Sequence, residues 1–187
     1  GLPLLLTNGH AGMFNESGNR LAFRRPGSFG VWEVAVNDFL RRAMSAGTGN
    51  LSCTHLAWLA NGEVLAVDGE HSMHLLDMGS GHWIAHHAAA GVTDVARHPA
   101  GDDLLVCSDG KLLRLSVQLV HKRNGWNVDD LTATEVPLPP DRPAHSVEVL
   151  ESESGAMIAV AGNRQSDVVL LKRKPKCCGS TPPAGSS

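Results

Sequence analysis

Four stretches of this chain repeat one pattern, and that repetition limits what the sequence can fold into more than any other property it has. The stretches cover residues 12–34, 55–77, 92–117 and 146–171. Each strings together a short apolar run, a small polar turn with glycine, a second apolar run, another turn and a third run. The equivalent turn glycines are Gly18, Gly62, Gly101 and Gly155, which lie 44, 39 and 54 residues apart. Val64, Leu65, Ala66 and Val67, like Leu104, Leu105, Val106 and Cys107, form unbroken apolar runs, the pattern of strands covered on both faces. Asp68-Gly69 and Asp109-Gly110 follow them as hairpin signals, because tight turns need positive φ and glycine adopts it at little cost. Segments with helical periodicity are almost absent.

A period of roughly 40–45 residues with several strands per unit is that of propeller blades. The sequence therefore predicts an all-β fold, a β-propeller of about four four-stranded blades at approximately 7–36, 51–81, 86–120 and 144–174. The connections 37–50 and 121–143 are predicted as loops. The first leaves room for one helical turn around 39–44. The second carries Asn124-Gly125, Asp129-Asp130, Pro137, Pro139, Pro140 and Pro143, which is turn chemistry. Residues 175–187 are rich in Gly, Pro and Ser and are predicted to be a disordered tail. Four-bladed rings exist, but four degenerate units are expected to be part of a larger ring. A first residue of Gly rather than Met points to a processed product or a piece of a longer protein. An open array of blades leaves sheet edges and blade faces to be covered.

The third unit contains His86-His87, Val92, Val95, His98-Pro99-Ala100-Gly101, Leu104-Leu105, Ser108-Asp109-Gly110 and Leu113-Arg114-Leu115. The first has Gly9-His10 at its start and Val31-Trp32-Glu33-Val34 at its end, and the second ends in Leu76-Asp77. These residues resemble the WD40 repeat, whose units run from a Gly-His pair to a Trp-Asp pair. The resemblance spans roughly 7–174 with degenerate markers, and the fourth unit has neither. It implies a propeller in which one of His86 and His87 caps the start of the third blade. In WD40 proteins a His, Asp, Ser and Trp can form a buried hydrogen-bond network within one blade. No unit here supplies all four, so packing is expected to hold the blades together. Phe23-Arg24-Arg25-Pro26-Gly27 is similar to the Phe-Arg-Arg-Gly motif of phosphoinositide-binding propellers, but Pro26 interrupts it and it falls inside a unit. It is read as a solvated basic turn.

Chemistry is not concentrated anywhere in the chain. The formal net charge is −3, which removes the global electrostatic case for nucleic-acid binding. Aromatic residues make up 4% with no tyrosine, too few for a base-stacking platform. The apolar runs, Leu2 to Leu6 among them, are far short of a membrane span. No nucleophile elbow is present, and Gly27-Ser28-Phe29-Gly30 has neither the spacing nor the following helix of a phosphate loop. His71 and His74, three apart on a strand, point to opposite faces. Cys53 and Cys107 are isolated and Cys177 and Cys178 adjoin, so neither a zinc spacing nor a disulfide framework results. No catalytic residue, metal or cofactor is predicted, and a reducing compartment, cytoplasm or nucleus, is expected.

The predicted function is a non-catalytic WD40-like scaffold that binds protein partners in a multi-subunit assembly. Propellers offer rigid rims and variable loops for that purpose. The candidate contact residues are Arg41 and Arg42 in the first loop, Trp126 in the second, and Lys172, Arg173 and Lys174 in the only dense charge run. Trp126, between Gly125 and Asn127, is either an anchor tucked onto the ring or an exposed contact, with the anchor preferred. Trp32 and Trp58 are expected in the core. One alternative is an accessory subunit positioning RNA or an RNA-modifying enzyme, supported by Arg24-Arg25, Arg41-Arg42 and the 172–176 run. The other, a propeller enzyme, requires a carboxylate or histidine cluster in the central channel.

Overall fold

A computed structural model describes residues 10–34, 40–42, 51, 53–69, 71–98, 101–140, 143–151, 157–162 and 168–172. Among these residues fifteen strands form four antiparallel meanders, and within each meander every strand pairs with the next in sequence. The first sheet is β1 (His10–Phe14), β2 (Arg20–Arg25), β3 (Ser28–Val34) and β4 (Leu40–Arg42). The second is β5 (Leu56–Leu59), β6 (Val64–Asp68), β7 (Ser72–Asp77) and β8 (Trp83–Ala88). The third is β9 (Val92–Arg97), β10 (Leu104–Ser108), β11 (Lys111–Lys122) and β12 (Gly125–Val136). The fourth comprises β13 (Ser146–Glu151), β14 (Met157–Gly162) and β15 (Val168–Lys172).

The unbroken apolar runs are explained by how the sheets stack. All five residues of β6 are buried. Its Leu65 and Val67 pack toward the first sheet with Ala22, Phe29 and Val31. Its Val64 and Ala66 pack toward the third with Val95, Leu104 and Val106. Likewise, all of β10 is buried. Leu104 and Val106 face the second sheet, whereas Leu105 and Cys107 meet Val147 of the fourth and Ala144 just before it. Alternation along a strand therefore sends successive side chains into two different cores. Fully burying one such aliphatic side chain contributes about 1.5–3 kcal/mol, so these second strands are the main apolar glue.

Each joint also carries a polar tie. Trp58 Nε1 donates to the Met13 carbonyl at 3.0 Å, and Arg20 Nη1 donates to the Gly62 carbonyl at 2.9 Å. The Ala60 amide donates to Asp102 at 2.7 Å. Asp94 Oδ2 accepts from Ser146 Oγ at 2.7 Å and from the Val147 amide at 2.9 Å. Of the equivalent turn glycines, Gly18, Gly62 and Gly101 have positive φ, and Gly155 lies outside the described residues.

Three sequence expectations are corrected. Residues 40–42 form the outer strand of the first sheet rather than part of a helical turn, and Gly125–Val136 is a strand rather than a loop. His86 and His87 belong to β8, the outer strand of the second sheet, and do not open the third. The cause is common to all three. An outer strand has exposed positions along its length, as in β8 and β12, so it needs no apolar run to mark it. Residues 175–187 lie outside the described residues.

The β11–β12 hairpin is longer than its sheet requires. Only residues 111–115 of β11 pair with β10, and the pairing with β12 continues out to Lys122 opposite Gly125. The extra length forms an arm that reaches back onto β7 and β8. Gly125, at φ +113°, sits at its tip, where a Cβ would collide with the Asp77 carboxylate. Glycine is required there both by the backbone angle and by that close approach.

Candidate functional site

The first strand of every sheet faces one axial cavity of about 570 Å³. Its wall combines Met13 and Phe14 of β1, Leu56 and Trp58 of β5, Val95 of β9 and Val147 of β13. Met13 and Phe14 are 43% and 56% exposed, the most exposed large apolar side chains among the described residues. Apolar groups left in water at a concave surface mark a place where a partner can bury them. Charge lies at one end of this cavity: Arg97 is 3.5 Å from Glu16 and 3.9 Å from Asp102, linking the first turn to the third sheet.

A smaller cleft of about 200 Å³ shares Met13, Leu56 and Val95 with this cavity and is bordered by Arg24, Thr54, His55 and Asp94. Beside it lies a buried polar network. Asp68, 2% exposed at the end of β6, accepts from the Thr54 and His55 amides at 2.7 and 2.8 Å. Its other oxygen accepts the Thr54 hydroxyl at 2.5 Å and lies 2.9 Å from His55 Nδ1. Burial alone would raise the Asp68 pKa, but the hydrogen bonds from His55 and Thr54 outweigh it and hold the carboxyl below its ordinary range. Sequence reading missed this network. The hydroxyl comes from a threonine, Thr54, rather than a serine, and no Trp accompanies His55 and Asp68, yet four polar groups of Thr54 and His55 satisfy the carboxylate.

The thiols nearby are inert by environment. Burial, with Asp68 adding and Arg24 opposing, pushes Cys53 up to about 12. Burial and Asp94 do the same to Cys107. Among the described residues no group of three or more His, Cys, Asp or Glu side chains could hold a metal ion, and no helix is long and apolar enough to cross a membrane.

The candidate contact residues do not converge. Trp126 lies on the arm, half-buried against the core shared by the second and third sheets, with its ring edge-on to His121 at 5.1 Å. Arg41 and Arg42 lie in β4, paired with Glu33 and Trp32 on the outer edge of the first sheet. Lys172 ends β15, and Arg173 and Lys174 lie outside the described residues. Trp58 is buried, whereas Trp32 is half-buried against Phe23 and Trp83 is 40% exposed. Arg24 and Arg25 are half-buried rather than solvated. The Arg25 guanidinium sits 4.8 Å over the Phe23 ring, and that ring in turn lies over Gly30, where a Cβ would come within 2.6 Å of it.

His74 and His86, opposite each other on β7 and β8, stack at 6.2 Å, with Trp83 5.5 Å from His74. This pair was not visible in the sequence, because the partner histidine comes from the outer strand assigned there to the next unit.

No protein-family profile and no curated protein matches the chain. Among solved structures it is similar to Hsv2 of Kluyveromyces lactis, with a TM-score of 0.52 and 10% identity over 87% of this chain and 60% of that one. The WD40 domain of SCAP from fission yeast gives 0.49 and 11% identity over 90% of this chain and 42% of that one. The chain therefore spans less than two thirds of the length of either. At such identity the likeness concerns fold alone, and the likeness to Hsv2 agrees with four antiparallel meanders whose first strands share one axial cavity. The chain has the fold of a WD40-like β-propeller, with four consecutive blades among the described residues.

Proposed function

We propose that this chain is a non-catalytic propeller scaffold inside the cell that holds protein partners within a multi-subunit assembly. The observation that supports this reading is the exposure of Met13 and Phe14 on the wall of the axial cavity. Two large apolar side chains standing next to a charged rim make the combination of apolar centre and polar border that protein interfaces use. The blades behind them are rigid, because β5 and β6 are buried throughout. A rigid wall spends little conformational entropy when a partner binds.

The test compares the wild-type chain with a Met13→Ser/Phe14→Ser double variant in quantitative affinity enrichment from cell extract. A defined set of proteins recovered with the wild type and lost with the variant is the expected outcome. Identical recoveries from both would overturn the assignment of this surface. Both residues are already exposed, so the variant keeps the fold, which circular dichroism verifies.

A further inference from the structure

We propose that His74 and His86 together bind one divalent transition-metal ion across strands β7 and β8. The inference does not depend on the scaffold reading. The two residues are directly opposed in the register of these strands, so both side chains leave the sheet on the same face. Their rings stack with centres 6.2 Å apart and planes 28° apart. The cross-strand neighbour thus supplies His74 with the second imidazole that His71, three residues away along the chain, does not.

The spacing suits a shared ion. Metal–nitrogen bonds of about 2.0–2.1 Å put the centres of two imidazoles on one tetrahedral ion about 5 Å apart. The rings therefore need to close by about 1 Å, and His86, which is exposed, is free to turn. His74 is half-buried and held in place. Its Nε2 lies 2.6 Å from Ser72 Oγ, and a Cβ on Gly69 would come within 3.0 Å of the same atom. With Nε2–H donating to the serine hydroxyl, Nδ1 keeps its lone pair for a metal. A partner on the far nitrogen is the usual means of orienting a ligating imidazole. Trp83, 5.5 Å from His74, and Phe29, 6.0 Å from Trp83, wall the site on the side of the first sheet.

The ligands select the ion. Imidazole nitrogen suits copper, nickel and zinc, whereas magnesium and calcium take oxygen ligands. Among the described residues no third His, Cys, Asp or Glu completes the set, so water fills the remaining positions of the ion. Bound there, the ion ties the outer strand β8 to β7 by a second kind of link besides the backbone ladder. An ion that binds the folded chain and not the unfolded one stabilises the fold.

The experiment uses the full chain carrying Cys177→Ser/Cys178→Ser, which removes two adjacent thiols that would compete for metal. Nickel is titrated at about pH 7.5, where imidazole is neutral, and followed by calorimetry and tryptophan fluorescence. The expected result is one ion per chain that quenches emission, because Trp83 stands beside the site. His74→Gln and His86→Gln should each lower the affinity at least about tenfold and remove the quenching. His87→Gln should keep the wild-type affinity, since His87 is opposite Met73 on the other face of the sheet. Zinc should displace nickel and restore emission, and magnesium should not. Nickel should raise the melting temperature of the parent chain and not that of the His74→Gln/His86→Gln double variant. His86 is exposed, so its variant keeps the fold, as circular dichroism verifies for each protein. Equal affinity in the parent and the His86→Gln variant, a loss in His87→Gln as large as in His86→Gln, or the absence of nickel-dependent quenching would overturn the proposal.

Discussion

At Asp68 a buried carboxylate takes two amides and a hydroxyl from Thr54 and His55, so removing it strands several donors in the protein interior. Asp68→Ala should cost about 2–3 kcal/mol, because each buried group left without its charged partner pays its own desolvation. Chemical denaturation compared with the wild type measures it. The group's lowered pKa fixes the direction of its pH effect. The unfolded chain binds the proton more readily, so this stabilisation is complete above the ordinary value of 3.8 and is lost as the pH falls below it. His74 acts at higher pH. Burial, and next to it the charge of His86, disfavour its protonated form and lower its pKa from 6.5. The unfolded chain then takes up a proton that the folded chain resists, so stability falls as the pH drops through 6.5. Thermal denaturation from pH 7.5 to 5 should show that loss, and His74→Phe should flatten it; an unchanged slope would refute the assignment. Both sites join residues 12–14 positions apart in the sequence, His74 to His86 and Asp68 to Thr54 and His55, and that is why single-residue inspection of the sequence did not find them.

At the scale of strands, legibility followed burial. The second strands of the second and third sheets were visible because both their faces are covered, which demands an apolar residue at nearly every position of β6 and β10. The outer strands were not, because β8 and β12 satisfy their backbones by pairing and leave much of their side-chain surface to water. The arm shows the cost of that gap. Asn124-Gly125 was recognised as turn chemistry, and it is the tip of a hairpin, but the residues beyond it were taken for loop. Trp126→Ala should destabilise the chain by about 2 kcal/mol, since a half-buried aromatic ring is removed from the core between two sheets. Urea denaturation followed by far-ultraviolet circular dichroism tests this, and a change within a few tenths of a kcal/mol would mean that the ring adds little to the joint. Gly125→Ala should act in the same direction through strain at its positive φ and the clash with Asp77.

Across the whole molecule, the fold was readable because the repeat spacing records a stack of similar sheets, whereas the candidate surface was not, because exposure is set by what the neighbouring sheets leave uncovered. Nothing in the letters of Met13 and Phe14 distinguishes them from the buried apolar residues of β2. The tightness of the stack can be tested through its cysteines. In a Cys177→Ser/Cys178→Ser background the native chain should take up almost no maleimide at pH 8, because Cys53 and Cys107 are buried and their thiols sit near 12. In denaturant both should react. Rapid labelling of the native chain would show that the joints open.

The arm also bears on how a chain of this kind can change over evolutionary time. Among the described residues adjacent sheets otherwise meet through side chains and a few hydrogen bonds, so in principle one unit could be duplicated or another spliced in at any boundary. The boundary between the second and third sheets is different, because Trp126 and the tip at Gly125 reach across it to the Asp77 turn. A new unit placed there would cut that crossing, while one placed after the first or third sheet would not. The second and third sheets should therefore be inherited as an inseparable pair, and gain or loss of units should fall on either side of them.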